Sequence, residues 1–586
     1  MKKQRNMLEK EIAMKEKWVI LKKKADFKEI GEKYKIDQVV ARILRNREIV
    51  GDKNIEEYLY GNISLVSNPI TMKGVKEASE LLKRKIQGEQ HIRIVSDYDV
   101  DGVSSNYILW KSLKELGAKV DYQIPDRMKD GYGINEDIIM KAKQDGVDCI
   151  LTCDNGIAAS DAIAYGKELG MEIIITDHHE VPFEIIEGER VEKLPKADVI
   201  VNPKQEGCLY SYPHLCGAGV AFQLMRALYD LMNGDIEVIK NLIPFLGIAT
   251  VCDVVELTKE NRIFVKEALK SIKSTKNLGL RALLDVYQLL DKEIASYHFG
   301  FVVGPCMNAS GRLESAKMVM ELFTEKDYEV AKEKAQVLKE LNETRKEMTG
   351  EGVEEALNLV EKEGCTEDSV LVIYIPDCHE SIAGIIAGRI KDTYHKPTFV
   401  LTRGKDGIKG SGRSIEGYHM FEEMIKIEDV FTKFGGHAMA AGCSLTEDRL
   451  DEFRRRINDN CRLTEDDFTR KVVIDADMPV DYVTFQLVEQ LSLLEPFGMG
   501  NRKPVFAQRK LFINQIRVFG KERNVIRIDF LNEKGNKIQG ILFESQEIFN
   551  EKKGTHQYMT CTYYPTINEY QGYQNLQITI QNYFFN

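Results

Sequence analysis

The sequence contains no apolar run that approaches the length of about 20 residues needed to span a membrane. Its beginning, MKKQRNMLEKEIAMKEKWVI, is basic and amphipathic but lacks the continuous apolar core and the small-residue cleavage site of a secretory signal. The 11 cysteines are an odd number and include no CxxC pair, which excludes a disulfide framework and a zinc ribbon. These absences predict a protein of the reducing cytoplasm with no membrane partner.

The chain also lacks an excess of positive charge, since its net charge is −11 at pH 7. A uniformly acidic surface repels phosphates, so any nucleic-acid path requires a local basic groove. Lys and Arg are concentrated near the start of the chain and in several later clusters, each of which alone is more typical of a solvated face. The overall charge therefore neither supports nor excludes a polyanionic substrate.

Acidic residues or histidines lie just after, or within, four short apolar stretches. Three of these stretches, in HIRIVSDYDVDG, CILTCDNG and EIIITDHHE, are typical of buried parallel strands, and ATVCDVVEL is the fourth. Ligands gather at the carboxyl ends of such strands. Carboxylates with one or two histidines suit Mn²⁺ or Mg²⁺, and this concentration of charge indicates two ions and phosphate ester hydrolysis. The candidate ligands are Asp97, Asp99, Asp101, Asp154, Asp177, His178, His179 and Asp253.

Each of these segments has an ordinary structural explanation when it is taken alone. An Asp at a strand end is commonly a turn former or the N-cap of the next helix, and a lone His178 is more often a satisfied, partly buried imidazole. Turn formation explains one Asp, but it does not explain three apolar strands that all end in candidate ligands. The recurrence therefore favours a metal site.

The length of 586 residues, with 43% hydrophobic and 30% charged residues, predicts a globular chain of several domains. Alternating helix-like and strand-like segments predict an open parallel sheet, and alternating strands after residue 465 predict a small antiparallel barrel or sandwich. The predicted class is an α/β multidomain protein with a helical basic leader (1–74), a parallel-sheet domain (75–320), a long connecting helix (321–364), a second, smaller α/β domain (365–464) and a C-terminal OB-like β-barrel (465–586).

The second α/β domain carries two glycine-bearing motifs, GSGRS from 410 to 414 and FGGHAMAAG from 434 to 442. Glycines let the backbone approach a phosphate closely, and an Arg can hold phosphate oxygens in a bidentate fashion. In the second motif His437 lies between a Gly pair and small residues that we predict to start a helix, a setting suited to contact with substrate.

Aromatic residues alternate with Lys and Arg in the predicted barrel. Such barrels can stack bases on exposed rings and track the backbone with cations, but many of the rings must form the core. The sequence does not show which rings stack. The candidates are Phe506, Phe512, Phe519, Phe530, Phe543, Tyr563 and Tyr570.

These motifs together resemble those of the DHH phosphoesterase family. DYDVDG, DNG, DHH and CDVVEL are similar to the family's metal-binding motifs, and GGHAMAAG resembles the signature of the DHH-associated domain. Within the family, EPFGMGNRKPVF, MNASGRLESA, the length and the terminal barrel look like the members that degrade single-stranded DNA. The resemblance covers roughly residue 75 to the end.

The resemblance implies a particular set of metal ligands. It makes Asp154 the bridge between two ions, Mn²⁺ or Mg²⁺, and it puts Asp97 and His179 at adjacent positions, with Asp97 counted among the ligands. The implied ligands are Asp97, Asp99, Asp101, Asp154, His178 and Asp253.

The resemblance also implies contacts with the substrate. Arg312 and His437 are expected at the scissile phosphate, where His179 steadies it or assists protonation. The pocket for a terminal 5′ phosphate, which sets the polarity of cleavage, is implied at Ser411, Arg413, Gly435 and Gly436.

The implied function is that of a 5′-to-3′ exonuclease for single-stranded DNA that releases mononucleotides in repair and recombination. A single-strand-binding protein and a helicase are conceivable partners, and a monomer is expected. Three alternatives stay open at lower rank: a phosphodiesterase of short oligonucleotides or cyclic dinucleotides, a non-catalytic scaffold that binds single strands, and a two-metal pyrophosphatase. The terminal barrel argues against the first and third, and the intact ligand set argues against the second.

Overall fold

The computed structural model describes residues 16–586 except 128, 187, 363, 406, 532–534, 536 and 571. The strands are β1 Glu16–Ile20, β2 His91–Ser96, β3 Lys119–Gln123, β4 Cys149–Cys153, β5 Glu172–Thr176, β6 Phe183–Ile186, β7 Glu189–Glu192, β8 Val199–Val201, β9 Leu371–Tyr374, β10 Thr398–Gly404, β11 Gly407–Arg413, β12 Lys433–Gly436, β13 Ala440–Leu445, β14 Arg470–Ile474, β15 Ala476–Asp477, β16 Phe506–Phe519, β17 Val525–Leu531, β18 Lys537–Phe543, β19 Tyr558–Tyr570 and β20 Tyr573–Phe585.

The α-helices are α1 Phe27–Tyr34, α2 Gln38–Asn46, α3 Asp52–Tyr60, α4 Val75–Gln87, α5 Val100–Glu115, α6 Glu136–Gln144, α7 Ser160–Glu168, α8 Gly217–Met232, α9 Ile236–Lys240, α10 Ile243–Cys252, α11 Lys259–Ser271, α12 Leu278–Val286, α13 Ser296–His298, α14 Gly304–Leu313, α15 Lys317–Phe323, α16 Tyr328–Lys362, α17 Glu380–Tyr394, α18 Met420–Ile425, α19 Leu450–Asp459, α20 Phe485–Leu491 and α21 Gln546–Lys553. Over the part of the chain that the structure describes, none of these helices is long and apolar enough to cross a membrane.

The chain divides into two compact units. The first, which we call the parallel-sheet unit, contains residues 51–345 and a short later segment, 495–503. The second contains the described residues up to Val50 together with 346–494 and 504–586, and we call it the two-sheet unit after its two larger sheets. The predicted connecting helix is α16, whose 35 residues are divided between the units at position 345.

The parallel-sheet unit is built on five parallel strands in the order β3-β2-β4-β5-β8. The β4 strand, CILTC, is buried along its whole length, as expected for a strand that is covered on both faces. One face packs against a large apolar core that includes Leu109 and Phe222, and the other packs against Ile139 and Ile163. This architecture confirms the predicted open parallel sheet.

The smaller sheet of the two-sheet unit has the order β12-β13-β11-β10-β9, and only β9 and β10 are parallel. The segment after His437 was expected to start a helix, and this prediction is wrong. β12 and β13 form an antiparallel hairpin, and the His437 amide donates to the Ala440 carbonyl at 2.8 Å. Small residues do not by themselves favour a helix, and pairing with β11 satisfies the backbone of this segment instead.

The last sheet closes into the predicted barrel, because strands β15-β16-β17-β18-β20-β19 are joined by an additional β16–β19 pairing. The barrel is not wholly antiparallel, since β18 pairs with β20 in parallel. Phe506, Phe530 and Tyr563 are fully buried core residues, whereas the side chain of Phe543 is 69% exposed.

The leader is not purely helical where it is described. Besides α1, α2 and α3 it contains β1, which pairs in parallel with β14 over Glu16–Ile20. Its partner lies some 450 residues later, and such a distant pairing leaves no local signal in the sequence.

Candidate active site

The carboxyl ends of β2 and β4 form the switch point of the parallel sheet, because the chain leaves β2 toward β3 and later returns on its other side through β4. Asp97 follows β2 directly, and Asp154 follows β4. The ends of these strands are in register, with Ser96 opposite Cys153. Open α/β sheets bind ligands in the crevice at this point, so the fold itself brings the two carboxylates together.

Asp101 is held by the beginning of α8. Its two carboxylate oxygens accept hydrogen bonds from the amides of Gly217 at 2.6 Å and Ala218 at 2.8 Å. The positive end of the helix and the two N–H donors both favour a negative charge there. A Cβ on Gly217 would lie 2.7 Å from the Cβ of Asp154, so only glycine fits at this position.

Asp99 ends the DYD segment as the N-cap of α5, where its carboxylate accepts from the Gly102 amide at 3.0 Å. The next amide, that of Val100, donates to Asn308 Oδ1 in α14 at 3.1 Å. The N-cap explanation considered for each lone Asp is therefore correct for Asp99, and it is compatible with a ligand role because the second carboxylate oxygen is left over.

His178 lies at the centre of the acidic cluster. Its Nε2 is 3.1 Å from Asp154 Oδ1 and 3.7 Å from one carboxylate oxygen each of Asp101 and Asp253. Asp253 comes from a different direction, as the C-cap of the apolar helix α10. One imidazole and three carboxylates thus converge on a small volume.

His179 is oriented by its neighbours. Its Nδ1 is 2.8 Å from Asp177 Oδ1, and its Nε2 is 3.4 Å from the Tyr132 hydroxyl, which donates to the Asp154 carbonyl at 3.1 Å. The His179 side chain is 40% exposed, in contrast to His178 at 9%. His178 therefore faces the cluster, while His179 faces its open side.

Three groups of side chains in the described residues have ligand atoms within 4.8 Å of one another. Asp154 and His178 each belong to two of these groups, which is the overlap that two neighbouring ions require. The groups are Asp97, Asp99 and Asp154; Asp101, His178 and Asp253; and Asp154, His178 and His179.

The buried carboxyl groups of the cluster are hard to ionise together unless positive charge is close by. Burial, reinforced by the charge of Asp99, raises the pKa of Asp97 to about 8. Burial also raises the pKa values of Asp101, Asp154 and Asp253 above their usual range. Carboxylates that resist ionisation together are stabilised as anions by divalent cations.

The two histidines respond to burial in opposite ways. Burial lowers the pKa of His178 to about 4, so its ring is neutral, the form that binds a metal. Burial also disfavours the His179 cation, but the hydrogen bond and the charge of Asp177 outweigh it and raise the pKa of His179. A neutral histidine and a histidine with a raised pKa thus lie side by side.

Unsatisfied atoms test whether a metal fits this site. Asp97 Oδ1, His178 Nε2 and Asp253 Oδ2 are buried and have no hydrogen-bond partner among the residues that the structure describes. Such atoms are costly unless something else satisfies them. All three are oxygen or imidazole donors that suit Mn²⁺ or Mg²⁺, so the residues present fit the predicted ions.

The predicted phosphate contact Arg312 lies in the last turn of α14, in the same unit as the cluster. Its charge acts on Tyr98, between Asp97 and Asp99, and the guanidinium of Arg127 lies 5.0 Å from the centre of the Tyr98 ring. Two guanidinium groups therefore lie near the acidic loop.

The remaining predicted residues are brought together in the two-sheet unit. Ser411 is opposite Gly442, and Gly442 is opposite Gly435, so the three form one row across adjacent strands. A Cβ on Gly384 of α17 would lie 2.9 Å from Arg413 Nη2 and 3.4 Å from the Cβ of Ser411. The predicted phosphate pocket is therefore a strip of nearly bare backbone with one arginine beside it. Gly436 and the exposed His437 follow Gly435 at the hairpin end.

Sequence reasoning missed four contributors to the site. Tyr132 was not considered, and nothing in its glycine-bearing context DGYGIN indicated its contact with Asp154. Gly217 and Ala218 lie in LCGAGV, where small residues at a helix start were the available signal. Asn308 lies in the quoted MNASGRLESA motif, but its contact with the Asp99 loop required the structure.

Family comparisons agree with this geometry. The model of the DHH family, N-terminal domain, matches residues 91–250, and the DHHA1 domain matches 367–463. The fold and the acidic site thus define the class of the protein as a DHH phosphoesterase.

More specific matches refine the class. The RecJ OB domain matches residues 474–582. The single-stranded-DNA-specific exonuclease RecJ of Haemophilus influenzae is 30% identical to the chain, over 94% of this chain and 97% of that protein. RecJ of Bacillus subtilis is 34% identical over 89% of this chain, which spans 65% of that relative's length. The chain belongs to the RecJ family.

A solved structure supports the fold. The crystal structure of RecJ from Thermus thermophilus, in complex with Mn²⁺, superposes with a TM-score of 0.82 at 24% identity, over 97% of this chain and 79% of that one. This likeness confirms the predicted architecture of a parallel-sheet domain, a smaller α/β domain and a terminal barrel.

Proposed function

We propose that this protein is a 5′-to-3′ exonuclease of single-stranded DNA that releases 5′-mononucleotides and acts in DNA repair and recombination. The observation that carries the proposal is the set of overlapping ligand groups that share Asp154 and His178 at the switch point. Membership of the RecJ family supports the choice of substrate, because its relatives are single-strand-specific exonucleases.

The acidic cluster would hold two divalent cations, Mn²⁺ or Mg²⁺. Asp97 and Asp99 would hold one ion, Asp101, His178 and Asp253 would hold the other, and Asp154 would bridge them. Bound there, the ions supply Lewis-acid stabilisation of the attacked phosphate and make hydroxide available at neutral pH.

The protein's own groups complete the reaction. Arg312 and His437 bind the non-bridging oxygens of the scissile phosphate, where negative charge develops. Water adds to phosphorus and gives up one proton to solvent as the bond from phosphorus to the 3′ oxygen of the first nucleotide breaks. His179, kept protonated by Asp177, lies on the open side of the cluster and gives a proton to that departing oxygen.

The polarity of cleavage is assigned to the glycine strip of the two-sheet unit. Ser411, Arg413, Gly435 and Gly436 bind a terminal 5′ phosphate through the backbone, one hydroxyl and one guanidinium. Each cleavage leaves a new 5′ phosphate on the shortened strand, so the same pocket can bind it again.

We also propose the domain boundaries, the location and the partners of this protein. We assign the domain boundaries at 74/75, 320/321, 364/365 and 464/465. The protein is placed in the cytoplasm as a monomer that works with a single-strand-binding protein and a helicase. Those partners would supply unwound DNA, which a nuclease of this specificity requires.

A time course tests the proposal. Purified protein with Mn²⁺ is incubated with single-stranded DNA labelled at its 3′ end, beside a blunt duplex of the same sequence and a cyclic dinucleotide. We expect the labelled strand to shorten progressively while the duplex is spared. Immediate release of the labelled nucleotide would reverse the polarity, consumption of the cyclic dinucleotide alone would replace the substrate, and no hydrolysis would favour a binding scaffold.

A further inference from the structure

Two aromatic side chains of the parallel-sheet unit are stacked on each other while both face solvent. The rings of Tyr297 and Phe301 have centroids 5.0 Å apart and planes inclined by 17°. Tyr297 is 61% exposed and Phe301 is 67% exposed. A rigid pair of parallel rings on the surface buries little area for itself, so packing does not explain it.

The backbone under this pair is unusual and lies against the metal cluster's own scaffold. Residues Phe299–Val303 form a π-helical segment between α13 and α14, a rare geometry that often marks functional sites. The Phe299 carbonyl is 3.4 Å from Cys252 Sγ, and a Cβ on Gly300 would lie 3.3 Å from Val251. These contacts are with the last turn of α10, whose C-cap is Asp253.

The same stretch of chain leads to the acidic loop at its other end. Asn308 in α14 accepts from the amide of Val100, and a Cβ on Gly311 would lie 2.7 Å from the Tyr98 carbonyl. Phe301 is seven residues before Asn308, so the aromatic pair and a contact of the acidic loop lie on one short stretch of chain.

We propose that Tyr297 and Phe301 form an aromatic platform beside the metal cluster, on which an unpaired nucleobase of the substrate stacks. This inference rests on the proposed nuclease function and deepens it. Every base presents a π-face, so the platform binds without sequence preference. In a duplex the faces of the bases are covered by their neighbours, so the platform also favours a single strand.

Binding measured without cleavage separates the platform from catalysis. Fluorescence anisotropy in EDTA gives the Kd of a labelled single-stranded oligonucleotide for the full chain and its Tyr297→Ala/Phe301→Ala variant. Loss of base stacking should raise Kd roughly 5- to 100-fold. Tyr60→Ala is the matched control, because Tyr60 is an aromatic residue of the same unit with a similar exposure of 54%, and it should leave Kd unchanged.

The position of the platform along the strand is mapped by measuring Kd for oligonucleotides with one abasic nucleotide at each successive position from the 5′ end. With the wild-type protein, one or two neighbouring abasic sites should raise Kd as much as the double substitution raises it for the intact strand. With the double variant, the same abasic sites should not raise Kd further. Tyr297→Phe should retain wild-type binding because stacking needs the ring and not the hydroxyl.

The outcomes distinguish the two proposals. Unchanged Kd in the double variant, or abasic effects that persist undiminished in it, would overturn the platform even if the wild type degrades single strands. If the wild type binds through the platform but cleaves nothing, the nuclease function fails and the platform stands. A wild-type dimer that the double variant abolishes in sedimentation velocity would assign the pair to self-association and overturn the nucleobase proposal.

Discussion

Asp154 has a left-handed backbone conformation with φ of 60°, which side-chain-bearing residues adopt rarely and Asp tolerates better than most. Its amide donates to the Thr176 carbonyl at 3.1 Å, and this bond ties the turn to the neighbouring strand β5. The strained turn aims the carboxylate back across the sheet toward His178 instead of along the strand. A conformational cost of this kind persists where the surroundings enforce it, which is common at catalytic sites.

We predict that Asp154→Ala abolishes cleavage while the protein stays folded. Alanine removes the carboxylate shared by two ligand groups, so activity should fall by more than about 100-fold. The buried site loses an unfavourable charge, so thermal stability in EDTA should not decrease. Asp161→Ala, an exposed acid at the start of α7, is the control and should keep full activity. Substantial residual metal-dependent turnover would remove Asp154 from the bridging role.

Asp97 gives a prediction about pH. Its pKa of about 8 in the folded protein lies above the usual value near 3.8, so between these pH values the metal-free folded state binds more protons than the unfolded chain. Its contribution to stability is therefore lost as pH rises through this window, by at most about 1.4 kcal/mol per pH unit.

Thermal denaturation in EDTA from pH 5 to pH 8 checks this prediction. The melting temperature of the wild type should fall more steeply with pH than that of Asp97→Asn, which cannot ionise. If the melting temperatures of the two proteins change with pH in the same way, Asp97 is not the group that titrates in this range. With Mn²⁺ present the difference should shrink, because the cation stabilises the carboxylate.

At the scale of elements, the beginning of α8 positions two carboxylates at once. Its first two amides hold Asp101, and the missing side chain of Gly217 leaves room for Asp154. The helix thus acts as a template for the metal site without contributing a side chain. Helix propensity alone would favour alanine at this position, so the glycine makes the helix less stable than alanine would.

We predict that Gly217→Ala damages the site more than the fold. The added Cβ would lie 2.7 Å from Asp154 Cβ and 3.0 Å from Asp101 Oδ2, so one of the two carboxylates must shift. Mn²⁺ affinity by calorimetry should fall roughly 10- to 100-fold, and overpacking should cost about 1–3 kcal/mol of stability. Gly350→Ala is the control, because its Cβ meets nothing within 4 Å and should stabilise α16 slightly. Wild-type metal affinity in Gly217→Ala would contradict the template role.

Elements with a strong local pattern could be predicted from the sequence, and those that depend on distant partners could not. CILTC and EIIIT are short apolar runs followed by polar ligands, and they form adjacent buried strands as expected. The pairing of β1 with β14 and the hairpin at His437 depend on neighbours from other parts of the chain. Part of the site was predictable for the same reason, because Asp97, Asp154 and His178 follow strand ends, while Tyr132 reaches the site from a loop.

At the scale of the whole molecule, the parallel-sheet unit is completed by residues from much later in the chain. The segment 495–503, EPFGMGNRK, belongs to this unit. The Leu257 amide donates to the Met499 carbonyl at 2.8 Å, and Ser296 Oγ donates to the Phe497 carbonyl at 2.7 Å. The motif could be recognised in the sequence, but its contacts with this unit could not be predicted. No local pattern indicates a partner more than 200 residues away. Through these two hydrogen bonds the late segment holds the chain just after Asp253 and the chain just before Tyr297.

Asn501 is the residue through which these contacts should be tested. It is 1% exposed, its Oδ1 accepts from the Tyr58 hydroxyl at 2.7 Å, and its Nδ2 donates to the Pro496 carbonyl at 2.7 Å. Asn501→Ala leaves those partners unsatisfied, which should lower the free energy of unfolding by about 1–3 kcal/mol.

Hydrogen exchange measured by mass spectrometry or NMR gives this prediction a local readout. The Leu257 amide should exchange faster in Asn501→Ala, since its acceptor on Met499 lies in the loosened segment, while amides of the barrel should keep their protection. Met499→Ala is the matched control, because Met499 is 58% exposed and the substitution keeps the backbone carbonyl that accepts from Leu257. If the Leu257 amide stays protected in Asn501→Ala, the loop before α11 is stable by itself. The late segment would then not stabilise the chain next to Asp253.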